Sequence, residues 1–125
     1  MRAHWTAPLD LALVGSESEL CDLRLRVLAL AKGEGQEVQV RLASQSDPEP
    51  YCRLLSSLRI EVDDGPTLVD VRVGSELHVC GAPQSLAKFA SFLDLQPGVH
   101  SHYEFYEGHE WIRASSVPLV IECEP

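Results

Sequence analysis

The 125-residue sequence predicts an α+β two-layer sandwich. Three observations carry that expectation: a gapless internal duplication, two amphipathic helices with one apolar side each, and strand signals on both flanks of each helix. When the stretch beginning at Met1 is laid over the one beginning at Thr67, Leu11, Leu13 and Gly15 fall on Leu77, Val79 and Gly81. Leu20, Leu23 and Val27 then fall on Leu86, Phe89 and Leu93. Each copy has the order strand, strand, helix, strand, strand, over about 1–63 and about 67–124, in a single domain spanning 1–125.

The first strand, near Arg2 to Ala7, is the weakest of the series because Pro8 and the chain terminus limit its pairing. The next runs to Gly15, where Ser16-Glu17-Ser18-Glu19 forms a capping-box pattern that opens a helix. Leu20, Leu23, Val27 and Leu30 mark the buried side of that helix, and Lys32-Gly33 ends it. Strands follow from about Glu37 to Ala43 and from Ser56 to Asp63, separated by a loop at 46–50, and Asp63-Asp64-Gly65-Pro66 turns into the second copy. There, Pro83 suits the first position of a helix that Gln96-Pro97-Gly98 stops. A strand from about Val99 to Glu107 and another through Ser115 to Glu122 close the chain. Neither half alone buries enough surface to be stable, so the sequence favours one mostly antiparallel sheet, both helices on one face and a pseudo-twofold axis between the copies.

Alternation sorts the side chains. Val38, Val40 and Leu42 face the helices, as do Leu58, Ile60 and Val62, and Val99, Ser101, Tyr103 and Phe105. His100, His102, Glu104 and Tyr106 fall on the helix-free face, together with His78, Arg41, Arg59, Glu61 and Glu122. Tyr103 and Phe105 are expected in the core.

Nineteen acidic against ten basic residues give a net charge of -9, which argues against nucleic acid and anionic membranes and favours a basic protein partner. No signal-like or spanning apolar run is present, and the four cysteines form no C-x-x-C pair. A cytoplasmic protein with reduced, mostly buried thiols is expected, Cys52 being the exposed exception.

His100-x-His102 places two imidazoles on one side of a strand, about 6 to 7 Å apart at Cα, which is a pair of ligands and not a metal site. A third would have to come from a neighbouring strand, for example from Glu122, Glu61 or His78. No nucleophile elbow or phosphate loop is present. Gly33-Glu34-Gly35 follows a helix instead of opening one, and the repeated Ser56-Ser57 and Ser115-Ser116 pairs suit hydrogen bonds at strand starts. No catalytic residue, cofactor or metal is therefore assigned. The candidate partner-binding residues are His78, His100, His102, Glu104, Tyr106, His109 and Trp111, with Tyr106 and Trp111 as aromatic anchors.

The second copy, with a strand ending in Gly81, the helix "APQSLAKFASFLDL", the H-x-H-x-E strand "HSHYEF" and the closing "SSVPLVIE", resembles the immunity proteins of bacterial polymorphic toxin systems over about residues 76–124. The resemblance implies a non-enzymatic inhibitor of a cognate toxin, with His100, His102 and Glu104 as the strand motif. The first copy departs from it, since Glu37 to Leu42 carries no H-x-H. A metal-binding protein or metal-dependent enzyme that uses the His100-x-His102 pair and a structural homodimer closed through the helix-free face are the alternatives.

Overall fold

The start of each helix follows from its local chemistry. Ser16 Oγ accepts from the Glu19 amide at 3.1 Å while the Glu19 carboxylate accepts from the Ser16 amide at 2.9 Å, so two amides that helix geometry leaves unpaired are satisfied. The helix that follows, α1 (Glu17–Ala31), buries Leu20, Leu23, Val27 and Leu30. The second helix, α2 (Pro83–Ser91), begins on a proline and has Ala82 at its N-cap, which supplies no side-chain bond.

The computed structural model of the protein describes residues 1–44 and 53–125, so the expected loop at 46–50 and Cys52 lie outside the described residues. Around the helices run β1 (Arg2–Thr6), β2 (Asp10–Gly15), β3 (Glu37–Arg41), β4 (Arg53–Leu55), β5 (Ser57–Val62), β6 (Leu68–Arg72), β7 (Glu76–Gly81), β8 (His100–Tyr103) and β9 (Leu119–Cys123). The architecture is α+β in two layers, with all but one pairing in each sheet antiparallel.

The single sheet expected from the sequence is instead two sheets, a five-stranded one ordered β4-β1-β2-β9-β8 and a four-stranded one ordered β3-β5-β7-β6. Each sheet draws on both copies. The second strand of one copy pairs in parallel with the last strand of the other: Leu11 opposite Leu119 in one sheet, Leu77 opposite Leu58 in the other. Because β2 and β3 lie in different sheets, as do β7 and β8, each helix carries the chain from one sheet to the other. β4 pairs with β1, and the segment beyond β8 covers β6 through the Thr67–Ile112 bridge and a Val117 amide donating to the Val69 carbonyl at 2.9 Å.

One continuous cluster of buried side chains fills the space beneath the helices. Tyr103 is among its largest members, met edge-on by Phe89 and Phe92 with ring centroids 4.9 Å away in each case. Burial pushes its phenol up to about 12. Its hydroxyl lies against the equally buried Thr67 hydroxyl without closing a well-aligned hydrogen bond. Of the glycines at the ends of β2 and β7, only Gly81 is required by a close approach. A Cβ on Gly81 would stand 2.9 Å from Thr67 Cα, whereas one on Gly15 would meet only the ends of the Leu20 and Met1 side chains, at 3.4 Å each.

Candidate functional site

The shared plan gives the two sheets comparable outer faces, and their cross-strand rows can be compared position by position. Across the four-stranded sheet the central row is Gln39, Arg59, His78, Asp70. Across the five-stranded sheet the equivalent row is His102, Val120, Ala12, His4. Arg59 and His78 in one face thus stand where Val120 and Ala12 stand in the other.

In the four-stranded sheet Arg59 organises the surface. It pairs with Glu76 at 3.2 Å, Glu61 at 3.4 Å and Glu37 at 3.9 Å, and it donates to the Gln39 carboxamide oxygen at 2.7 Å when that oxygen is turned toward it. His78 lies under this network with 1% of its surface exposed, its Nε2 3.5 Å from Glu61 and neither ring nitrogen in a hydrogen bond. The expectation that His78 is presented to a partner is therefore corrected: β7 is a central strand buried on both faces, and the covering arginine and glutamates close over the ring. The near-continuous apolar run of Glu76–Gly81 is the signal that marks such a strand. A depression of about 360 Å³ on this face is lined chiefly by Gln39, Arg41, Ser57, Arg59 and Glu76.

In the five-stranded sheet the small Ala12 and the short Val120 leave an open depression of about 430 Å³. Asp10, Glu104 and Glu122 stand at its wall with His4, while Leu9 and Pro118 extend its apolar floor. None of these three carboxylates is paired with a cation among the described residues, since Arg2 is held by Glu124 at 3.2 Å. Arg2 Nε also donates to His4 Nε2 at 3.0 Å, which fixes that nitrogen as unprotonated in this arrangement.

His100 and His102 are exposed beside the depression, opposite Glu122 and Val120, with their rings edge to face and 5.1 Å apart. Glu104 is exposed at the next position. The strand expected to run to Glu107 stops at Tyr103, where its partner β9 begins at Leu119 and the preceding Pro118 has no N–H for the ladder. Two expectations change with it. Phe105 is 38% exposed and not part of the core, and Tyr106 is set by a local turn instead of by strand alternation. In that turn Tyr106 meets the His109 ring edge-on at 4.8 Å and His109 Nδ1 accepts from the Trp111 amide at 3.3 Å. Trp111 itself stands at the edge of β6, its carbonyl accepting from the Thr67 amide at 2.8 Å and Lys88 lying 5.6 Å over its ring. The structure thus groups His100, His102 and Glu104 with Glu122 on one face, and places His109 and Trp111 toward the other sheet.

Among the described residues no three His, Cys, Asp or Glu side chains are placed to hold a metal ion. The repeated serines do close strand starts: Ser56 Oγ donates to the Ser75 carbonyl at 3.3 Å, and Ser116 Oγ accepts from the Val69 amide at 3.1 Å. Cys80 and Cys123 are buried free thiols, held above the ordinary thiol range by loss of solvation, and Cys21 is exposed and free. No helix among the described residues is long and apolar enough to cross a membrane. The contribution of Asp10, Ala12 and His4 to the site is invisible in sequence, because it depends on β2 lying beside β9, a pairing between copies. Comparison with protein-family models, with curated proteins and with solved structures finds no match to this chain.

Proposed function

We propose that the protein is a non-enzymatic binding protein of the immunity type, which blocks a basic toxin domain by holding it against the outer face of the five-stranded sheet. The observation that carries this is the depression with an apolar floor of Ala12 and Val120 and a wall of Asp10, Glu104 and Glu122, three carboxylates unmatched by cations among the described residues. Apolar area surrounded by unpaired charge of one sign is how a surface both holds and steers a partner of opposite sign. The net charge of -9 extends the same field to longer range. The free, buried thiols of Cys80 and Cys123 fit a reducing cytoplasm, where a toxin-producing cell needs the inhibitor.

The test is co-expression with the proteins encoded beside this chain, read as a co-purifying complex and as survival of a host that one of them poisons. The wild type is expected to do both, and the triple variant Asp10→Lys/Glu104→Lys/Glu122→Lys to do neither while keeping its thermal midpoint. A triple variant that binds and protects like the wild type removes this face as the binding surface.

A further inference from the structure

The geometry points to a specific mode of recognition: the open edge of β8 accepts an extended segment of the partner as a sixth strand, one that alternates apolar residues with lysine or arginine. This rests on the binding role proposed above and says how the partner is held.

The two outer edges that the duplication makes equivalent, β3 and β8, are finished differently. In β3 the Leu42 amide donates to the Ser56 carbonyl at 3.0 Å, so by strand alternation the peptide groups of Glu37, Gln39 and Arg41 point away from the sheet. Arg26 on α1 reaches over this edge and donates to the Gln39 carbonyl at 3.1 Å. In β8 the Cys123 amide donates to the Val99 carbonyl at 2.9 Å, so the outward groups are those of His100 and His102. No partner for them exists among the described residues. The residue that falls on Arg26 in the repeat alignment is Phe92, the C-cap of α2, which packs on Tyr103 and has nothing to donate.

Open strand edges are ordinarily blocked by lysine, proline or a covering element, and β8 has neither residue type. Its two ends are instead flanked by exposed apolar side chains, Val99 at 47% on one side and Phe105 at 38% and Tyr106 at 66% on the other. An added strand would cover them with its helix-side residues. Its outward residues would stand beside His100, His102, Glu104 and Glu122, which favours cations and disfavours a second copy of this acidic chain.

The probe is an acetylated, amidated peptide of about seven residues alternating lysine with valine, long enough to span β8 at roughly 3.3 Å per residue. Binding is followed by amide resonances and hydrogen exchange of the intact protein. The expected result is saturable binding, with exchange at the His100 and His102 amides slowed by about tenfold or more in the complex. His102→Pro and His102→Ala both lose the imidazole and only the first loses the outward N–H, so the proline variant is expected to bind at least about tenfold more weakly than the alanine variant. A peptide methylated on the amides that would face β8 makes the same test without altering the protein, and it is expected not to bind.

Absence of binding, unprotected His100 and His102 amides, or equal affinity for the methylated peptide would each overturn strand addition. So would sedimentation showing that β8 is already sealed by a second copy. If the methylated peptide binds equally but the Asp10, Glu104 and Glu122 charge reversal abolishes binding, the edge is excluded while the acidic face stands. If the peptide protects β8 equally in the wild type and the charge-reversed variant, the edge stands and the acidic face does not.

Discussion

The outer faces of the two sheets are two outcomes of one plan. In the four-stranded sheet, Arg59 and His78 fill the middle of the face, and the surrounding carboxylates Glu37, Glu61 and Glu76 are drawn onto the guanidinium. In the five-stranded sheet Val120 and Ala12 occupy those two positions, so the middle is low and Asp10, Glu104 and Glu122 are left without cations among the described residues. In the first face the three carboxylates share one guanidinium in a network of ion pairs, which contributes to stability. The second keeps its three carboxylates unpaired with cations among the described residues, the feature on which the proposed binding role rests. A duplication can thus keep a scaffold symmetric while a difference at one cross-strand pair makes one outer face filled and ion-paired and the other hollow and unpaired.

Substitutions at equivalent positions test this difference, beginning with the core. Tyr103 and Val40 occupy matching strand positions opposite Leu119 and Leu58, but only Tyr103 is wedged between two phenylalanine rings. Tyr103→Ala is expected to cost about 4 kcal/mol in denaturant unfolding and Val40→Ala about 1 to 2 kcal/mol. Tyr103→Phe is expected within about 1 kcal/mol of the wild type, because the hydroxyl makes no aligned bond. Equal losses at Tyr103 and Val40 would mean that the copies share the core evenly.

Next come the two glycines. Gly81→Ala drives a methyl group against the Thr67 backbone and is expected to cost about 2 to 3 kcal/mol, while Gly15→Ala needs only flexible side-chain ends to yield and should cost less than about 1 kcal/mol. Arg59→Ala should then cost about 1 kcal/mol, an amount kept small by partial exposure, and the loss should shrink as salt rises. Glu122→Ala on the other face should change stability by no more than about 0.5 kcal/mol. If Glu122 mattered to stability as much as Arg59, the division between the faces would fail.

The helix starts give a further matched pair. Ser16→Ala should cost about 1 kcal/mol and Ala82→Ser should gain about 0.5 kcal/mol, measured as shifts in the unfolding midpoint. Glu19 adds a pH signature. Its carboxyl is held below the ordinary range by the N-terminal ammonium at 2.6 Å and then by the Ser16 amide. Since the folded value is the lower one, its contribution is complete above the usual carboxylate range and lost as pH falls through the depressed value. Glu19→Gln should therefore flatten part of the acid limb of the stability profile and leave the slope near neutrality unchanged.

The duplication made much of this fold legible. Leu11, Leu13 and Gly15 recurring as Leu77, Val79 and Gly81 marked equivalent strands, and Ser16 and Pro83 located both helix starts. What alternation does not encode is which strand pairs with which. The parallel contacts of β2 with β9 and β5 with β7 are long-range, and they decide both the division into two sheets and the proximity of Asp10 and Ala12 to His102. His100, His102 and Glu104 were recognisable as a surface set from period alone. His78 was assigned to the exposed face because its polarity outweighed the apolar company of Leu77, Val79 and Cys80, the run that marks a strand buried on both faces.

That the Ala12–Val120 hollow makes the five-stranded face the binding one is tested most directly by copying the other face into it with Ala12→His/Val120→Arg, a pair the scaffold already accommodates at His78 and Arg59. The affinity of this variant for a partner captured by the wild type, the proposed basic protein domain, is then measured by calorimetry. Affinity is expected to fall by about a hundredfold or more at an unchanged unfolding midpoint. Binding at wild-type affinity, with the hollow filled and the new guanidinium set among the carboxylates, would contradict it.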